Sequence, residues 1–322
     1  MTPPKPTDTW LREKVTDLLT VGRELIVPPS GSFEARSWTL LKLACVRYYV
    51  VPYLQILRAK YERLAFIDLF ASAGASQYRH GDLTAIVPGS SILAALGAKD
   101  AAGNHLKFDE IVSVDRSAEN LSSLEQNLAR YGFRRSVNFF PVAADTTSVV
   151  QAVGQHLSET PNTHALVFAD PESLEPAFDA LQAMVRTHDA VDLMLLHLVS
   201  GAAMANSRRV LRRFYGCDPP ARPTRKKLSR LYVSQLAYHL RVGDTTAKPE
   251  PTTVVEPVRI EAGPGTGGYS YDLVFAWRQT GGRNPFARII ETLRTKVEKV
   301  DGQDVERVIG TMRGPQKLMD NF

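Results

Sequence analysis

The stretch Phe66–Gly74, FIDLFASAG, constrains this chain more than any other. A short apolar run carries one carboxylate, Asp68, and then gives way to small residues. That is the pattern of a buried strand delivering the backbone to a ligand. A carboxylate inside an apolar strand has to be hydrogen-bonded or face a polar group, because an unpaired buried charge is very costly. Ala71, Ser72, Ala73 and Gly74 carry no bulky side chain, so a ligand can approach the main chain and meet its N–H groups.

Similar signals recur downstream. The run Glu110–Asp115 (EIVSVD) predicts a second strand ending on Asp115, with Ser117 capping the next helix. An acid there is the usual partner of ribose hydroxyls, a capping or ion-paired Asp being the alternative. A third strand, Val137–Val142, leads to Asp145 and Thr146. Asp145 either accepts a hydrogen bond from an exocyclic amine such as that of adenine or caps the helix Thr146–Leu157. A fourth strand, His164–Ala169, delivers Asp170, Pro171 and Glu172, and a helix over about 174–186 separates it from a fifth, VDLMLLHLV. His197 in that fifth run reads as a core histidine rather than a ligand. Strands alternating with helices at this spacing predict a doubly wound α/β sheet whose ligands bind beyond the carboxyl ends of its strands. Asp68, Asp115, Asp145 and Asp170 then line one crevice. Two later β-like runs, Thr253–Glu261 and Tyr269–Arg278, predict an antiparallel pair, followed by a helix Pro285–Val300 with Asn284 as its cap. The intervening AGPGTGG lacks a following GK[ST] and is no phosphate loop.

Four segments are expected. Prolines in residues 1–32 predict an arm with a helix at Thr9–Leu19. A Rossmann-like core with N-terminal helices spans 33–206, a basic helical insertion 207–250, and a strand pair with a closing helix 251–322. Helical spacing over Phe33–Tyr61 is interrupted at Pro52. Lys42 is the polar residue that stands out there, a solvated lysine being the alternative. Gln77–Pro88 reads as a long polar loop, and Ser90 or Ser91 as the N-cap of a helix reaching about Ala98. The helix after the basic insertion's first half is expected at Leu228–Leu240, with a linker at Lys248–Pro251.

Two distant cysteines among 322 residues, with no CxxC, indicate neither a disulfide framework nor an intrinsic metal or iron–sulfur site. The sequence shows neither an uninterrupted apolar membrane span nor a secretory h-region at its start, so a cytoplasmic setting is expected. Of 39 cations and 34 acids, nine cations and one acid fall within Ser207–Arg230, leaving 30 and 33 elsewhere. Basicity is therefore local. Arg208, Arg209, Arg212, Arg213, Arg225, Lys226 and Lys227 form either a nucleic-acid-facing patch or a solvated surface.

Five parallel strands and an antiparallel pair are the layout of class I S-adenosylmethionine-dependent methyltransferases, a seven-stranded, mostly parallel sheet. FIDLFASAG, PGSS, VDRS, FADP, YDLVFAWRQTGGRNPF and the early WTLLKL resemble, in order and spacing, the three-Cys-motif partner (TcmP) family of methyltransferase-like proteins. The resemblance covers roughly residues 37–290. It implies S-adenosyl-L-methionine as cofactor, held by Asp68, Phe70, Ala71, Ser72, Ala73 and Gly74. It also implies Asp115 with Arg116 at the ribose, Asp145 with Thr146 at the adenine, and Asp170, Pro171 and Glu172 at the transferable methyl. It further implies a separate radical-SAM-like cysteine-motif partner and a DNA-repair setting, any metal chemistry belonging to that partner. Ser72 stands where the family pattern has glycine, which a serine can replace at negative φ, and DPES stands where it has a DPFG-like motif. Glu172 and Ser173 offer no ring to stack on a base. The expected function is a methyltransferase acting on or with nucleic acid; the alternative is an inactive subunit that binds nucleic acid and supports the partner. A nicotinamide-dependent oxidoreductase is disfavoured by the missing GxGxxG.

Overall fold

The computed structural model describes residues 6–26, 34–143, 146–160, 162–188, 190–221, 223–240, 253–263, 270–278 and 284–312. Nine strands carry the fold: β1 (Arg63–Asp68), β2 (Ala75–His80), β3 (Leu83–Pro88), β4 (Glu110–Asp115), β5 (Phe139–Ala143), β6 (Thr163–Ala169), β7 (Val191–His197), β8 (Thr253–Glu261) and β9 (Ser270–Arg278). The main sheet has the order β5-β4-β1-β6-β7-β9-β8. Its first five members run parallel, while β9 is antiparallel to both β7 and β8.

Strands buried on both faces need apolar residues at successive positions, and β1, β6 and β7 supply them. Leu64, Phe66, Leu166, Phe168, Met194 and Leu196 join one core layer. Ala65, Ile67, Ala165, Val167, Leu193 and Leu195 join the other. The second layer is closed by α5 (Thr146–Ser158), α6 (Phe178–Thr187), α8 (Arg208–Tyr215) and α9 (Arg225–His239). The first is closed by α1 (Pro6–Gly22), α2 (Ser37–Leu57), α3 (Ser90–Ala95), α4 (Ala118–Ala129), α10 (Pro285–Val297) and α11 (Gly302–Met312). The short α7 (Val199–Met204) follows β7.

Several sequence expectations change. The 1–32 segment contains α1, which buries Trp10, Leu11, Val15 and Leu18 against the core instead of trailing as an arm. Helix α2 continues through Pro52. It is apolar nearly all round and long enough to cross a membrane, yet most of it is buried inside the fold, the mark of a core helix. Gln77–Pro88 is not a loop: β2 and β3 pair as an antiparallel hairpin, with Glu34–Ala35 alongside β2. The third strand begins at Phe139, and α3 stops at Ala95. The Lys248–Pro251 linker lies outside the described residues.

At the end of the sheet opposite the strands' carboxyl termini, α2 covers a buried polar cluster. Tyr53 Oη lies 2.7 Å from His164 Nδ1, and His164 Nε2 lies 3.9 Å from Asp192. Burial pushes Asp192 up to about 8 and His164 down to about 3. Below its unfolded value His164 costs stability as pH falls. Asp192 acts in the opposite sense, holding a proton in the fold that the unfolded chain has already released, so stability declines as pH rises from about 4 to about 8. From pH 6.5 to 8 the Asp192 effect stands alone in this cluster. Thermal unfolding should show wild type losing about 1–2 kcal/mol across that interval. Asp192→Asn should flatten the profile, and a slope that persists in the variant assigns it to other groups.

Candidate functional site

The carboxyl ends of β1, β4 and β6 bring Asp68, Asp115 and Asp170 to one edge of the sheet. Asp68 is fully buried. Its Oδ2 accepts from Ser90 Oγ at 2.5 Å and Ser91 Oγ at 2.8 Å, and its Oδ1 accepts from Phe70 N at 3.4 Å. Burial pushes Asp68 up to about 6; the hydrogen bonds oppose that rise and the charge of Asp170 adds to it. Ser90 and Ser91 were expected to cap α3, but Gly89 occupies the N-cap and both hydroxyls turn to the carboxylate.

Two glycines make this possible. Gly74 lies at φ +74° and accepts from Gly89 N at 2.7 Å, so the hairpin returns to its starting point and presents α3 to Asp68. A Cβ on Gly74 would stand 2.5 Å from Leu124 Cδ1, and one on Gly89 would meet the Gly74 backbone at 3.1 Å.

Ser72 lies at φ +54°, so the negative φ that a serine there called for is not adopted. Its N–H donates to Asp115 Oδ2 at 2.9 Å, which fixes the loop in this conformation. Its Oγ is buried with no hydrogen-bond partner. Asp115 Oδ1 also accepts from Ser117 N at 2.7 Å and Asn120 Nδ2 at 3.1 Å. Three of the roughly four acceptor positions of a carboxylate are thus occupied by the protein. Ala71 and Ala73 are buried, and Phe70 is half-buried beside the second core layer. Arg116 is exposed and paired with Glu175 at 3.1 Å. Asp145 lies outside the described residues, as does the side chain of Thr146.

Asp170 is ion-paired with Lys42 of α2, so Lys42 is a half-buried partner of the rim and not a solvated surface residue. Pro171 is buried, whereas Glu172 is exposed. The signal for Lys42 was present as one of only two cations in an apolar helix; the signal for Ser90 and Ser91 was masked by their plausibility as caps. His197, last residue of β7, is fully buried with Nε2 2.7 Å from Tyr215 Oη and its ring stacked on Tyr232. Two cavities, of about 370 and 280 Å³, open elsewhere, and neither is lined by Asp68, Asp115 or Asp170.

The basic segment folds as α8 and α9. Leu211, Phe214 and Tyr215 face inward while Arg208, Arg209, Arg212 and Arg213 are exposed, Arg212 bridging Asp218 at 2.6 Å. In α9, Thr224 caps a first turn that contains Arg225, Lys226 and Lys227 and no acid. One turn further, Ser229 Oγ donates to Asp272 at 2.6 Å, and Asp272 pairs in register with His197. The cation-rich end of α9 therefore lies at the same edge of the sheet as the carboxylates.

The antiparallel β9 inserted between β7 and β8 completes the Rossmann-like sheet of the class I methyltransferase fold. No protein-family model matches the chain, and no curated protein sequence matches it significantly. Among solved structures, it is similar to a putative RNA methyltransferase from Pyrococcus horikoshii (TM-score 0.40, 12% identity, covering 83% of this chain and 100% of that one). It is also similar to Trm1 from Pyrococcus horikoshii in complex with S-adenosyl-L-methionine (0.43, 13%, 84% and 61%). A third match is an O-methyltransferase from Bacillus cereus in complex with SAH (0.37, 13%, 87% and 94%). Likeness of this degree carries no argument about substrate.

A non-glycine residue at positive φ carries strain on the order of 1 kcal/mol. Ser72→Gly should therefore raise the unfolding midpoint, whereas Gly89→Ala should lower it by pressing on Gly74. Matched midpoints for wild type and Ser72→Gly would show the loop to be unstrained.

Proposed function

We propose that this chain is an S-adenosylmethionine-dependent methyltransferase-like protein acting on nucleic acid. The observation that carries it is the shared edge: the cation-rich first turn of α9 lies at the same edge of the sheet as the rim of acids, so a polyanion held there would lie beside them. Three cations in the first turn sit at the unfavourable end of the helix dipole, at about 0.3–1 kcal/mol each. A phosphate backbone there would offset that cost and would make binding strongly salt-dependent.

The rim residues fit the cofactor. Ser72 Oγ is a buried hydroxyl in want of a partner, and Asp115 retains about one acceptor position, enough for a ribose hydroxyl. When bound, S-adenosylmethionine supplies an electrophilic methyl group on a sulfonium. The protein's own task is then chiefly to orient a nucleophile in line with that methyl. Membership of the three-Cys-motif partner family, with a cysteine-motif protein as its associate, is supported by the ordered motifs from WTLLKL to GGRNPF.

A second reading, a cofactor-fold subunit without turnover, is favoured by one specific fact. Asp170, one of the residues expected at the transferable methyl, is already paired with Lys42, and exposed Glu172 and Ser173 provide no stacking ring.

Calorimetry should detect S-adenosylhomocysteine binding, weakened at least about tenfold, or about 1.4 kcal/mol, by Asp115→Ala. Absence of binding by wild type would reject the cofactor. Methyl incorporation from labelled cofactor into DNA or RNA separates the two readings, turnover supporting the enzyme. Reversing Arg208, Arg209, Lys226 and Lys227 to Glu should weaken duplex binding across all sequences and flatten its salt slope. Unchanged binding leaves the segment as solvated surface.

A further inference from the structure

We infer that Lys42 is a charge-balancing residue of the crevice: by cancelling Asp170 it keeps a cationic ligand from being held there more tightly than its neutral counterpart. The inference rests on the cofactor reading above and deepens it.

Lys42 rises from a helix that is otherwise almost entirely apolar, with its side chain only 12% exposed. The other cation of α2, Arg47, is spent on Gly97 O at 2.5 Å, far along the helix. An ammonium so placed needs a counter-charge, and Asp170 provides it. Asp170 is also close enough to Asp68 for its charge to be felt there. Two of the rim's three carboxylates, Asp68 and Asp170, thus stand with one ammonium, the third being Asp115.

The balance matters because a sulfonium is a fixed cation and the thioether left after methyl transfer is neutral. Positive charge on sulfur fades as the methyl departs. A crevice with two uncompensated carboxylates would hold the reactant more tightly than the transition state, and binding lost on the way to the transition state slows the step. Lys42 removes one of those two charges without removing Asp170 itself.

The test is calorimetry at pH 8 and low salt with S-adenosylmethionine and S-adenosylhomocysteine, on wild type, Lys42→Met, Asp170→Asn and the double variant. At that pH Asp68 is ionised throughout. Lys42→Met should raise the ratio of S-adenosylmethionine to S-adenosylhomocysteine affinity at least about tenfold, or about 1.4 kcal/mol. Asp170→Asn should lower it, and the double variant should return it to the wild-type value. Should one variant fail to fold, the opposite direction expected of the other still decides. Equal changes in both affinities, or an unmoved ratio in variants that bind both ligands, would make Lys42 a structural lysine and overturn the inference alone. A wild-type protein that binds neither ligand overturns the inference together with the cofactor reading.

Discussion

The acceptance of two serine hydroxyls by the buried Asp68 is the interaction on which the rest of the rim depends. Hydrogen bonds to a charged group contribute about 1.5–3 kcal/mol each, and three donors converge on this carboxylate. Desolvation still dominates, since Asp68 titrates higher than an ordinary aspartate despite them. The carboxylate is therefore held in place by its surroundings at a standing electrostatic cost. Such a cost is tolerated where a buried polar group fixes geometry that packing alone leaves undetermined. Here it fixes the angle at which α3 meets the end of β1, and through Gly74 and Gly89 the base of the hairpin.

Most of the sheet was legible in the sequence, because parallel strands buried on both faces need continuous apolar runs and the connections between them are helical. The runs ending at Asp68, Asp115, Ala169 and His197 could hardly be anything else. The hairpin was missed because ASQYRH and LTAIVP are short and polar in part, although the Gly81-Asp82 between them is itself a two-residue hairpin signal. Pro52 misled because its ring was weighed as a local breaker, whereas burial of α2 on nearly every side overrides local preference. At the site, the gathering of acids at one edge followed from topology, but their occupancy did not. That Asp115 is consumed by Ser72, Ser117 and Asn120, and Asp170 by Lys42, depends on side-chain geometry that spacing does not encode.

Charge is distributed in this fold by a division of labour. The carboxyl edge of the sheet concentrates carboxylates and offsets one of them from within, by Lys42. The neighbouring surface concentrates cations at a helix end that disfavours them. The link between the two is the His197–Asp272–Ser229 corner, where β7, β9 and α9 meet, with Arg259 also paired to Asp272. Phe214 and Tyr232 stacked with His197, and Tyr215 set edge-on to all three, anchor both basic helices there.

Helix α2 has a consequence for how the chain reaches its native state. It is synthesised well before α10 and α11, with an apolar surface that would suit a lipid bilayer. The elements that shelter it come from both flanks, α1 shortly before it and α10 and α11 some 250 residues later in synthesis. Until those last helices arrive, a greasy cylinder stands partly uncovered on the growing polypeptide. Chaperone engagement of this nascent chain would accordingly be prolonged, and truncated products lacking α10 and α11 would be prone to clump or stray to membranes.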